Sequence, residues 1–162
     1  YILQVMLARR APFLGRYLPY LLRQADQTLS APFYAALTRS GLARSEWRVL
    51  VVLEDLGELR VAELATASLS PQPTVTHALQ RLEDRGLVTR TVSQEDRRQR
   101  VVAITADGSS LTTTLMDEAT RLEAEALAGA GDLTELVGRL REVTAFLESG
   151  AGAAAGNRTP TQ

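Results

Sequence analysis

Gln72, Pro73, Thr74, Thr76 and His77, with Arg81 about one turn further on, are residue types suited to reading and holding a nucleic-acid duplex. A glutamine amide can pair bidentately with the major-groove edge of adenine, and a threonine methyl can meet the methyl of thymine. Arginine and histidine donate to phosphates, which position a protein on DNA without reading its sequence. A groove-bound helix places its reading residues near its start. The plain alternative for each of these side chains is a solvated helix face. Further on, Ser93 to Gln99 reads SQEDRRQ, a polar turn with two adjacent arginines, Arg97 and Arg98, after Asp96 and shortly before Arg100. Its alternative is a hairpin tip charged for solubility and against edge pairing.

The elements that must hold these residues follow from local patterns. Val75, Ala78, Leu79 and Leu82 recur at helical spacing and give a helix over residues 71–85. Ser70 is placed to cap it, Pro71 suits its first position, and Gly86 is placed to end it in a left-handed conformation. Leu87 to Val92 and Arg100 to Ile104 are β-branched and read as two short strands around the charged turn. A helix followed directly by a hairpin with a basic tip is a winged helix, its helix suited to a major groove and its tip to the backbone or minor groove alongside.

Upstream, an apolar stripe from Leu18 to Leu37 predicts a long helix over residues 17–39. Pro32 lies inside it and should either kink it or restart it with Ser30 as cap. Ser45 should cap a helix from Glu46 to Leu56. Residues 58–61 should extend and pair with the wing, 61–67 should form a short helix, and 66–69 should turn. Downstream, Thr105 should cap a helix to about Ala128. Asp132 and Glu135 have capping-box spacing for a helix over 133–148. Residues 149–162 read as a flexible tail.

The run TVTHALQRLEDRGLVTR, residues 74–90, together with Asp96-Arg97-Arg98 and the closing Ile104-Thr105, resembles the MarR family of winged helix-turn-helix regulators. The resemblance covers roughly residues 17–148. It implies a mainly α fold with a small β-hairpin wing, dimerising through N- and C-terminal helices. The chain then divides into an N-terminal extension and first dimerisation helix (1–44), a DNA-binding lobe (45–105), C-terminal dimerisation helices (106–148) and the tail. It implies that Arg98 enters the minor groove and that Asp96 orients it. Many members carry arginine where this chain has His77. It also implies a pocket between the first long helix and the DNA-binding lobe, for which Tyr20, Arg23, Tyr34, Trp47 and Arg48 are the candidates. A small lipophilic or aromatic anion would bind there and release a pseudo-palindromic double-stranded operator. A packed core is the competing account of those five residues.

Composition bounds the rest. A chain of 162 residues, 45% hydrophobic and 23% charged, has the length for one core and a net charge of only −1. The charge is segregated: residues 9–48 hold seven arginines against Asp26 and Glu46, and residues 117–148 are dominated by carboxylates. With no cysteine and one histidine, neither thiol redox sensing nor a zinc site of the usual kind is expected, and no cofactor is implied. No apolar run is long enough to span a bilayer, and the first residues lack the basic-then-apolar order of a secretory signal, so a cytoplasmic protein is expected. There is no glycine-rich phosphate loop and no nucleophile with a nearby histidine, so the reading is not an enzyme. The alternative is a winged-helix module that binds protein without specific DNA binding.

Overall fold

The computed structural model describes residues 13–92 and 100–156. A 3-10 turn, Leu14–Arg16, leads into helices α1 (Leu18–Arg39), α2 (Arg44–Leu56), α3 (Val61–Ala67) and α4 (Gln72–Asp84). Strands β1 (Val88–Val92) and β2 (Arg100–Ile104) follow, then helices α5 (Ala106–Leu127) and α6 (Thr134–Gly156). The chain divides into two compact units, one ending at Glu125 and the other beginning at Ala126. The fold is mainly helical with a two-stranded antiparallel hairpin.

The core of the first unit is built from one face of each helix. Leu37 of α1, Val49, Leu50 and Leu53 of α2, Leu64 of α3 and Val75, Leu79 and Leu82 of α4 are fully buried. Val88 and Val102 close the core from the strands, and Leu115 from α5. Each such side chain contributes about 1.5–3 kcal/mol by leaving water. The α4 stripe is the one its spacing predicts, and this fixes which face of α4 is left for solvent.

β1 and β2 pair with Val88 opposite Ile104 and Val92 opposite Arg100. Leu59 adds a third backbone to this hairpin: its N–H donates to the Val102 carbonyl at 3.1 Å and its carbonyl accepts from Val102 N–H at 2.8 Å. Of the extended piece expected over 58–61, Leu59 makes the bridge and Arg60 is extended, whereas Val61 already begins α3. α4 ends as its glycine predicts. Gly86, at φ +69°, donates to the Glu83 carbonyl, and Leu87 donates to that of Leu82, both at 2.9 Å. This pair of bonds satisfies two of the carbonyls that a helix end leaves free.

The structure differs from the local reading at three places. Ser70 does not cap α4: its hydroxyl donates to the Ser68 carbonyl, Pro71 is the cap residue, and the helix begins at Gln72. Ser45 does not cap α2; the helix begins two residues earlier than expected, at Arg44, and the Glu46 carboxylate reaches back to accept from Ala43 N–H at 2.8 Å. A glutamate in the third helical position can satisfy the cap amide without a hydroxyl before it. α1 is the single helix its apolar stripe predicts, Leu18–Arg39 with Pro32 inside it; the alternative restart does not occur, and the Ser30 hydroxyl donates to Asp26. An interior proline costs about 3 kcal/mol; burial of Phe33, Ala36 and Leu37 just beyond it offsets this. Finally, α6 continues past residue 148 to Gly156, through the stretch read as the start of a tail.

Thr105 caps as expected, whereas Asp132 bonds Thr134 and not its expected capping-box partner Glu135. Thr105 accepts from Gly108 N–H at 3.1 Å at the start of α5. Asp132 accepts from both the N–H and the hydroxyl of Thr134 at the start of α6, and this holds its carboxyl below the usual range.

Candidate nucleic-acid interface

α4 has two faces. Val75, Ala78, Leu79 and Leu82 are buried, whereas Gln72, Pro73, Thr74, Thr76, His77 and Arg81 are exposed. The structure thus brings the six helix residues singled out by type onto one element, outside the core. The Thr76 hydroxyl donates to the Gln72 carbonyl at 2.9 Å. That leaves its methyl group and the acceptor side of its oxygen as the parts it can offer a base. The first turn of α4 carries no side-chain cap. Its early N–H groups are therefore open at the positive end of the helix, where an anion is favoured.

Arg81 behaves differently from its neighbours. Its Nη1 lies 3.3 Å from Oε1 of Glu46, whose side chain is only 4% exposed while that of Arg81 is 68% exposed. Arg85 donates to the carbonyls of Gly41, at 2.9 Å, and Ser40, at 3.4 Å. Both arginines fasten the C-terminal half of α4 to the corner between α1 and α2. Arg90 on β1 pairs with Glu83 at 3.2 Å. The arginines along this stretch therefore hold protein groups, and the outward chemistry is concentrated at the start of α4.

The wing is positioned by the β1–β2 pairing and by Leu59. The backbone of Arg100 pairs with Val92. Asp96, Arg97 and Arg98, with the rest of residues 93–99, lie outside the described residues.

The five candidates for an effector pocket are not gathered in one place. Trp47 and Arg48 border the same open groove, about 420 Å³, with Val51, Val52 and Leu69. Trp47 is half-buried and meets the ring of Phe33 edge-on, with centroids 4.9 Å apart. Tyr34 is half-buried and covered by the guanidinium of Arg44, 3.7 Å from the ring centroid. Tyr20 is half-buried and Arg23 exposed on the earlier part of α1. Leu69, which also lines the groove, is 88% exposed and adopts φ +50°. A non-glycine residue in that conformation is strained.

Sequence reasoning missed Glu46. A glutamate amid the apolar residues of a buried helix was the available signal, but its partner Arg81 is 35 positions away and no local pattern announces it. It also missed Arg60 and Glu63, which cap α3: Arg60 N–H donates to Glu63 at 2.9 Å and the side chains pair. The Arg60 guanidinium and N–H lower the Glu63 carboxyl to about 2. Among the described residues, no cluster of three or more histidines, aspartates or glutamates is placed to hold a metal ion. Nor is any described helix long and apolar enough to cross a membrane.

A family model described as "MarR family" matches residues 40–99. The HTH-type transcriptional regulator FarR of Neisseria gonorrhoeae is 31% identical over 88 residues, 54% of this chain and 60% of that protein. The match therefore spans less than two thirds of that relative's length. The homoprotocatechuate degradative operon repressor of Escherichia coli is 28% identical over 128 residues, 77% of this chain and 86% of that protein. Among solved structures, a MarR family transcriptional regulator from Silicibacter pomeroyi, SPO1453, is 32% identical with a TM-score of 0.73, covering 83% of this chain and 98% of that one. BpsR of Bordetella bronchiseptica, described through regulation of its DNA binding by 6-hydroxynicotinic acid, is 26% identical with a TM-score of 0.69, covering 80% and 94%.

Proposed function

The chain belongs to the MarR family of transcription regulators, and from that premise we propose that it is a cytoplasmic homodimer that binds a pseudo-palindromic double-stranded operator. The observation that carries this reading is the start of α4. Gln72, Pro73, Thr74, Thr76 and His77 project there from a helix whose other face is wholly committed to the core, beside early N–H groups with no side-chain cap. Phosphate contacts then fall to the N-terminus of α4 and to the wing arginines Arg97, Arg98 and Arg100, with Arg98 in the minor groove and Asp96 orienting it.

The second chain is called for by the terminal helices. Leu136, Val137, Leu140, Val143, Phe146 and Leu147 are all exposed on α6, as are Leu18, Leu21 and Leu22 on α1. Apolar faces of that extent fit an interface resembling a core cut in half. A two-fold dimer of this kind presents two α4 helices in opposite senses.

The action proposed is repression, relieved by a small lipophilic or aromatic anion. BpsR supports an aromatic acid as the ligand class for that protein. Here the candidate site is the open groove beside Trp47 and Arg48, which is lined from within the DNA-binding lobe and not, as the resemblance implies, between the lobe and the first long helix. An indole offers a surface for a ring and a guanidinium holds a carboxylate. The lining includes Leu69, in the turn between α3 and α4, so a ligand seated there touches the segment that leads into the reading helix. Ligand binding releases DNA only if it favours an arrangement that DNA does not.

The reading is tested by gel retardation with a random duplex across a range of salt. Retardation that fades steeply with salt supports DNA binding. Absence of retardation at low salt would replace it with a winged helix that binds protein alone.

A further inference from the structure

Thr105 stands between β2 and α5 and ties the end of α4 to the start of α5. Its hydroxyl donates to the Gly86 carbonyl at 2.8 Å and accepts from Gly108 N–H at 3.1 Å. Its own N–H donates to the Leu87 carbonyl at 3.1 Å. Gly86 and Leu87 are the same two residues whose N–H groups close α4. Their amides hold one helix and their carbonyls hold the other. Gly108 shows how close the approach is: a Cβ there would lie 2.1 Å from the Leu87 carbonyl oxygen and 2.8 Å from Cγ1 of Ile104. Only glycine fits. One turn on, Thr112 is fully buried, and the Ser109 hydroxyl donates to Glu54 of α2 at 2.9 Å.

We propose that Thr105 is a positioning residue for operator recognition: its hydroxyl, acting through the Gly86 carbonyl, fixes the angle between α4 and α5. This rests on the reading of the chain as a DNA-binding dimer. There α5 belongs to the dimerising framework and α4 to the groove, so the angle at this joint sets the separation of the two reading helices. A hydrogen bond between near-rigid backbone segments makes that separation single-valued. Without it the joint swings, and half-sites at a neighbouring spacing become acceptable.

The absence of cysteine allows spin labels to be placed at will. Labels at Gln80→Cys on α4 and Thr113→Cys on α5 occupy exposed positions. Label–label distances are measured in full-length chains diluted with unlabelled ones, without DNA. A single narrow distribution is expected for the unaltered joint, a broadened or shifted one for Thr105→Val, and recovery for Thr105→Ser. Thr105→Asp keeps an acceptor for Gly108 N–H but cannot donate to Gly86. It should preserve the start of α5, fold where the valine variant fails, and loosen the joint in the same way.

The second arm measures the penalty for an operator with one base pair inserted between its half-sites. That penalty should fall by about tenfold in Thr105→Val and Thr105→Asp, a difference of about 1.4 kcal/mol, and stay unchanged in Thr105→Ser. Unaltered distances in the folded aspartate variant would overturn the proposal. So would an equal loss of affinity for every duplex, random ones included. If no duplex is bound by the unaltered protein, the DNA reading fails on its own, and the distance measurement still decides whether Thr105 sets the angle.

Discussion

Arg81 on the exposed face of α4 places its guanidinium 3.3 Å from the buried carboxylate of Glu46, at the start of α2. The same carboxylate accepts from Ala43 N–H through its other oxygen. Glu46 therefore fixes one helix start and holds a second helix against it. Arg81, a candidate phosphate contact, thus also has a partner on the protein, although its side chain stays 68% exposed.

Truncation of Arg81 should accordingly be felt in stability more than in DNA binding. Arg81→Ala leaves a buried carboxylate with one partner, and with Arg81 itself largely solvated the loss should be about 1 kcal/mol. Glu46→Ala removes both bonds and should cost more. Urea denaturation measures both, and a double-mutant cycle should show the two changes to be non-additive. The salt dependence of operator binding should be unchanged in Arg81→Ala. A slope reduced by one contact would return Arg81 to the phosphates.

The Arg60–Glu63 cap predicts a pH effect. The Glu63 carboxyl is lowered from 4.5 to about 2 by Arg60. A lowered carboxylate contributes stability that is present above its unfolded value and lost as pH falls through the folded one. The start of α3 should therefore weaken between about pH 4.5 and pH 2. Carboxyl carbon shifts followed by NMR should give Glu63 a midpoint near 2, returning toward its ordinary value in Arg60→Ala.

Much of the first unit was legible because its signals are local. The α4 stripe, the Gly86 ending, the Thr105 cap and the pairing of Leu59 with the wing all follow from apolar periodicity, glycine, a capping hydroxyl or β-branched runs. The failures are competitions that local patterns do not settle. Ser70 and Ser45 are good capping residues, but Pro71 and Glu46 hold those helix starts instead. At Pro32 the sequence leaves a kink or a restart open, and tertiary burial beyond it carries α1 through as the one helix its stripe predicts. At the site, residue types on α4 pointed to its exposed face, whereas the engagement of Arg81 and Arg85 depends on contacts more than thirty positions away. The effector candidates were named by type, and only Trp47 and Arg48 share a cavity.

The wing makes its own prediction. Arg98→Ala should weaken operator binding by about 1–3 kcal/mol, and Asp96→Ala should act in the same direction by freeing the arginine. Titrations at fixed salt measure both. Equal affinity for the unaltered protein and both variants would remove the minor-groove contact.

The exposed stripe of α6 predicts an obligate dimer. Sedimentation at micromolar concentration should show a dimer, and Leu140→Asp combined with Phe146→Asp should yield monomers that lose tight operator binding. A folded monomer in the unaltered protein that still holds a single half-site tightly would exclude the interface.

The most direct test of sequence-specific recognition by paired α4 helices is selection of binding sites by the purified full-length protein from a random duplex library. The recovered sequences should contain two inverted half-sites with centres about 10 bp apart, or a multiple of that. Gln72→Ala should relax the preference at a defined position within each half. Recovery of no enriched sequence, or of one unpaired half-site indifferent to Gln72, would contradict the account.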